Sequence, residues 1–226
     1  MFKSKRAKEM VMKIMVISFG LIFLGGSFYQ LLGMLSVPPE QLIARAEVAV
    51  EAHKYEEAME LLEQAEEKTP LNVRIPTLRA SIYKERGQNK EAIQAYEKAI
   101  ALEPSDASIY ESLALMYLHL HHSDKAGEAF QKALQIKPGD VMLNNNVGVF
   151  YYQQKKWDKA ETFFTKALNI NPEYADVHRN LAVTYQDQGK MAEAAKYFRG
   201  YLKLNPEAPE KEKIEGWLKS HAQAAP

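Results

Sequence analysis

The chain has 226 residues, of which 46% are apolar and 26% charged, and its Lys and Arg balance its Asp and Glu at a net charge of zero. That balance argues against a nucleic-acid binder, which carries a basic excess, and against an acidic disordered chain. There are no cysteines, so disulfides, thiolate metal sites, a cysteine nucleophile, haem attached through a CxxCH run and a lipidated-cysteine anchor are all excluded.

Residues 1–13 hold Lys3, Lys5, Arg6, Lys8 and Lys13 against the single acid Glu9. Residues 14–35 then run 22 positions without a charge. A helix of that length spans roughly 33 Å at about 1.5 Å per residue, which matches a bilayer core. The run is longer than a secretory h-region, and Gly33-Met34-Leu35-Ser36 is a poor cleavage site, so an uncleaved signal anchor is expected. The cations precede the helix, which puts residues 1–13 in the cytoplasm and everything after Ser36 on the far side. That side is the periplasm for a bacterial inner-membrane protein; the alternative is a mitochondrial outer-membrane protein with its repeats in the cytosol. Gly25, Gly26 and Gln30 are the candidate contacts for another membrane helix, because small residues allow close approach and a buried amide seeks a partner. Residues 36–39 form a linker that reaches at most about 14 Å, keeping the remainder of the chain near the membrane surface.

From there the chain repeats itself. Pro70, Pro104, Pro138, Pro172 and Pro206 are spaced by 34 residues, as are Ala58, Ala92, Ala126, Ala160 and Ala194. Leu62, Tyr96, Phe130, Phe164 and Phe198 keep the same period, and so do Ala65, Ala99, Ala133 and Ala167, with Tyr201 in the fifth copy. The period and pattern resemble the tetratricopeptide-repeat (TPR) family, most clearly in Tyr110, Leu113, Ala114, Tyr117, Ala126, Phe130, Ala133 and Pro138. The resemblance implies an all-α fold: a right-handed TPR α-solenoid of helix-turn-helix repeats over 39–72, 73–106, 107–140, 141–174 and 175–208, preceded by a single transmembrane helix. Gly87 and Gly189 are expected to relax the turn between the two helices of a repeat. Ile214, Trp217 and Leu218 mark an amphipathic capping helix over 208–220, with Tyr201 packed on it and a short tail over 221–226.

The resemblance also implies a concave groove lined by the first helix of each repeat at positions 2, 5, 6, 9, 12 and 13. Those positions supply Ser108, Glu111, Ser112, Leu115, Leu118 and His119; then Met142, Asn145, Asn146, Val149, Tyr152 and Gln153; then Asp176, Arg179, Asn180, Val183, Gln186 and Asp187. Ser112, Leu115, His119, Asn145, Asn146, Val149, Tyr152, Arg179, Asn180 and Val183 are the candidate partner-binding residues. Asn146 and Asn180 share one slot, and an amide both donates and accepts, so this row can hold the backbone of an extended peptide. The two-carboxylate clamp of some TPR domains is missing: its slots hold Ile43, Glu47, Leu78, Ser108 and Ser112.

His119, His121 and His122 form the one cluster with metal- or haem-ligand chemistry, with Asp124 as the available further ligand. No phosphate loop, GxSxG or HExxH is present, so neither an enzyme nor a cofactor is expected. The expected function is a membrane-anchored scaffold that binds a protein or peptide partner, itself in or near the membrane, and assembles or stabilises a complex. A metal- or haem-handling module is the alternative.

Overall fold

The computed structural model describes residues 37–221. The predicted membrane segment, with Gly25, Gly26 and Gln30, lies outside the described residues. Among the described residues no helix is long and apolar enough to cross a membrane. The chain divides into two compact units at Ile75/Pro76.

The first unit contains α1 (Pro39–Glu51), α2 (Tyr55–Lys68) and the opening of α3 (Arg74–Glu85). Helix α1 starts on Pro39, whose fixed φ suits the first helical position and whose missing N–H is not needed there. It buries Leu42, Ile43, Ala46 and Ala49, and α2 buries Ala58, Leu61, Leu62 and Ala65. Ile43, expected in a groove slot, is thus a core residue. Arg74 reaches back to Glu40 at 2.9 Å and Glu47 at 2.6 Å. All three side chains are well exposed, so these pairs contribute at most about 1 kcal/mol each.

The second unit holds the rest of α3, then α4 (Asn89–Leu102), α5 (Ala107–His119), α6 (Ser123–Ile136), α7 (Val141–Gln153), α8 (Trp157–Ile170), α9 (Ala175–Asp187), α10 (Met191–Leu204) and α11 (Lys211–Ser220). The described residues are all-α. Helices pair as α5 with α6, α7 with α8 and α9 with α10, and one pair packs on the next. The periodic alanines explain the stacking: Ala92, Ala126, Ala160 and Ala194 are fully buried, as are Ala99, Ala133 and Ala167. Small side chains there bring helix backbones together, and Phe130 and Phe164 fill the remaining space. Gly148 marks a tight crossing, because a Cβ there would stand 2.5 Å from the Phe164 ring. The second helix of a pair ends just ahead of the residue that precedes its proline, and that residue is forced into extended backbone.

The turn inside each pair has one form, which the sequence announces only where it places a glycine. Its left-handed position is occupied by Gly87 and Gly189 in two repeats, but by His53, His121 and Lys155, at φ 57–58°, in the others. In every copy the next N–H returns to a carbonyl five residues back: His122 to Tyr117 at 2.8 Å, Lys156 to Tyr151 at 3.0 Å, Lys190 to Tyr185 at 2.9 Å. This bond closes the helix end.

Helix α11 starts at Lys211, three residues later than the expected 208. Ile214, Ala208, Phe198 and Tyr201 share one core cluster against which Trp217 packs, and the Tyr201 hydroxyl donates to Glu210 at 3.1 Å.

Candidate functional site

Helices α5, α7 and α9 are joined to one another by side-chain hydrogen bonds at groove positions. The Asn146 amide donates to the Glu111 carboxylate at 2.7 Å. One repeat further on, the Asn180 amide donates to the Asn145 side-chain oxygen at 2.9 Å. The Tyr152 hydroxyl donates to Asp187 at 2.6 Å. Burial first, then this bond and the negative charge of Asp187, push the Tyr152 phenol up to about 12. Burial raises the Tyr96 phenol, and the nearby hydroxyls of Ser81 and then Ser112 partly offset that rise.

The expected row Ser112–Asn146–Asn180 is therefore not one ladder: Asn146 and Asn180 make separate bridges, each to the first helix of the preceding repeat. Asn145 is nearly buried, whereas Asn146 and Asn180 are half-buried. Among the described residues no protein group donates to the Asn146 side-chain oxygen, which leaves an acceptor beside a spare N–H. Leu115 is exposed and Val149 and Val183 are half-buried. His119 is exposed at the end of α5.

Arg179 is exposed, and its guanidinium donates to Glu210 at 2.6 Å. Its own backbone N–H, then Tyr201 and Arg179, hold the Glu210 carboxyl below its usual range against a lesser desolvation cost. Arg179, Val183 and Gln186 of α9 line one depression of about 140 Å³ with Glu210, Ile214 and Trp217.

The run Asn144-Asn145-Asn146 divides its labour. Asn144 is fully buried, and its amide donates to the carbonyls of Pro138 at 2.9 Å and Asp140 at 2.7 Å, tying the loop to the helix it precedes. His178 holds the same slot one repeat later, with Nε2 2.8 Å from the Pro172 carbonyl. A carbonyl can only accept, so Nε2 carries the proton. A polar residue six positions after the repeat proline was the available signal.

The histidine cluster does not come together. His121 sits at the left-handed turn position, while the His122 ring lies edge-on to Tyr117 at 6.4 Å. Among the described residues no three His, Asp or Glu side chains are placed to hold a metal ion. Trp157 packs on Tyr152 with ring centroids 5.2 Å apart.

Paired helices stacked on a 34-residue period, with buried alanines at the crossings, define an all-α helical-repeat protein. Family models narrow this: one described as TPR repeat matches residues 80–120, and two described as tetratricopeptide repeat match 107–140 and 140–207. Over residues 80–207, which these matches span together, the chain belongs to the tetratricopeptide-repeat family. No curated protein matches. Among solved structures, PilW, titled a widely conserved type IV pilus biogenesis factor, is 24% identical with a TM-score of 0.69, covering 83% of this chain and 88% of its own. MamA is 20% identical with a TM-score of 0.63 over 75% of this chain and 96% of its own. YrrB, titled a TPR protein with an unusual peptide-binding site, is 18% identical with a TM-score of 0.62 over 77% and 90%. At these identities the likeness shows the fold.

Proposed function

We propose that this protein is a membrane-anchored TPR scaffold whose groove holds an extended segment of a partner protein and so helps assemble or stabilise a membrane complex. The observation that carries this is the bridged amide row: Asn146 and Asn180 are already oriented by Glu111 and Asn145, so little side-chain entropy is lost on binding. A preorganised amide recognises peptide backbone whatever its side chains. PilW, a type IV pilus biogenesis factor, and YrrB, a TPR protein with an unusual peptide-binding site, share the fold and agree with this role. The charge-free run 14–35 behind five cations supports an inner-membrane anchor with the repeats in the periplasm.

The test is site-directed photocrosslinking from Leu115 in intact membranes, comparing wild type with Asn146→Ala/Asn180→Ala. A partner that is captured by wild type and lost from a folded double mutant supports the groove. The same partner captured equally by both refutes it. Protease protection of the repeats in spheroplasts checks the orientation.

A further inference from the structure

We propose that the third repeat carries a second docking site, away from the groove, that takes an aromatic side chain of a partner protein into a slot which the next two repeats fill with a ring of their own. None of the residues that line it is a groove position, so it stands or falls independently of the groove.

Position 11 of a repeat, on its first helix, meets position 23, on its second. In repeat four these are Tyr151 and Phe163, whose rings stack with centroids 5.5 Å apart at 16°. In repeat five Tyr185 and Tyr197 stack at 5.5 Å and 15°. In repeat three they are Tyr117 and Ala129, so a methyl group stands where the next two copies have a ring. A depression of about 510 Å³ opens there, lined by Tyr110, Leu113 and Tyr117 of α5 and by Lys125, Ala129 and Lys132 of α6, among others. Its volume is that of a site for a ligand group. The floor is nearly buried, with Leu113 7%, Tyr117 9% and Ala129 6% exposed. The rim is made of long, exposed side chains, Lys125, Gln131, Lys132 and Gln135, which can swing aside. Repeat two pairs Tyr83 with Ala95 in the same slots, but this depression is the one beside Tyr117.

The cations that would serve an incoming ring are already in place. In repeat four Lys159 lies over the Tyr151 ring at 5.2 Å and Lys166 over the Phe163 ring at 4.8 Å. Their counterparts 34 residues earlier are Lys125 and Lys132. Lys125 keeps its role, lying over Tyr117 at 5.4 Å. Lys132 is the counterpart of the lysine that covers the ring repeat three lacks, and it borders the depression. A ring entering beside Tyr117 therefore finds the two contacts that Phe163 has in repeat four, a tyrosine face and an ammonium. Aromatic faces are negative and attract both, whereas an aliphatic side chain gains only burial. The carboxylates of Glu97 and Glu128 act on Tyr117 and offset the two lysines, so neither an acidic nor a basic side chain is favoured over a neutral ring.

The test uses the full chain in detergent micelles with isotope-labelled alanine methyls, read by NMR. The probes are water-soluble nonapeptides of Gly and Gln with Phe, cyclohexylalanine or Leu at the centre. The Phe peptide is expected to shift the Ala129 methyl upfield and to bind about fivefold or more tightly than the other two. Lys132→Met weakens the Phe peptide and leaves the cyclohexylalanine peptide unchanged. Ala129→Phe puts the chain's own ring in the slot: it abolishes binding and raises Tm by roughly 2–4 °C. Partition of a peptide into micelles is common to all variants and cancels in these comparisons. Equal binding of Phe and cyclohexylalanine overturns recognition of a ring. Binding that survives Ala129→Phe, or no binding by any peptide, overturns the site. A lower Tm or a failure to fold in Ala129→Phe shows that the slot has no room for a ring and overturns it as well.

Discussion

Replacing Gly148 by alanine sets two known effects against each other. In an exposed helix interior the change stabilises by about 1 kcal/mol, because glycine loses more backbone entropy on folding. At Gly148 the new Cβ stands 2.5 Å from both Cδ1 and Cε1 of Phe164 and 3.0 Å from its Cγ. Ordinary carbon contacts sit at about 3.5–4.0 Å, so the ring has to retreat by roughly 1 Å. Phe164 is 1% exposed and walled in by Val177 and Leu181, both fully buried, so it has nowhere to go. Overpacking of this kind costs about 1–3 kcal/mol, and the net effect is a loss of about 1 kcal/mol. For a chain of this size that lowers Tm by about 2–4 °C. Urea unfolding of the full chain, followed by circular dichroism, reads the same change as a shift in midpoint. The neighbouring copies of the slot hold Ala114 and Ala182, both fully buried, so there the reverse change to glycine is the destabilising one. In a Phe164→Leu background the cost of Gly148→Ala falls, giving a coupling of at least about 0.5 kcal/mol. A stability gain from Gly148→Ala in the wild-type background, or strict additivity with Phe164→Leu, refutes the reasoning.

Three further outcomes are expected from the same structure. His121→Gly and Lys155→Gly each raise the stability read from urea unfolding by up to about 1 kcal/mol, since an L residue is strained at positive φ; Gly189→Ala, where a Cβ would touch nothing within 4 Å, loses about as much from strain alone. Asn144→Ala leaves the Pro138 carbonyl without its donor inside the fold and costs about 1–3 kcal/mol in the same assay. The Tyr152 phenol is raised above its unfolded value of 10, so its contribution to stability is complete below pH 10 and is lost as pH rises through about 12. Tyr152→Phe makes the alkaline fall in Tm shallower, though not flat, because burial and Glu161 also raise Tyr185.

What the sequence disclosed and what it hid have physical causes. The alanines, the aromatics and the prolines are legible because each demand is met by few residue types: Ala160 by close approach, Phe164 by volume, Pro172 by the end of a helix. The turn is half legible. Gly87 and Gly189 announce a left-handed residue, whereas His53, His121 and Lys155 accept the same backbone at a cost that leaves no mark in composition. That also explains why three histidines in four positions resembled a ligand set: His121 is held in the turn by backbone geometry and takes no part in a cluster. The asparagines were legible as a row but not as bonds. Periodicity places Asn146 and Asn180 in one slot, yet only the packing of α7 against its neighbours shows that one pairs with Glu111 and the other with Asn145. Asn144 occupies a slot that periodicity assigns to a large residue, and nothing in its type distinguishes a loop staple from a filler.

The bond that closes each turn links groups only five residues apart, such as His122 N–H and the Tyr117 carbonyl. A hairpin closed that locally has little loop entropy to overcome and need not wait for distant chain. Each pair can therefore begin to form as its 34 residues become available, and its core is completed when the next pair docks on its alanine-lined face. A polypeptide delivered end first, by a ribosome or through a translocation channel, can lay down its structure in the order in which it arrives.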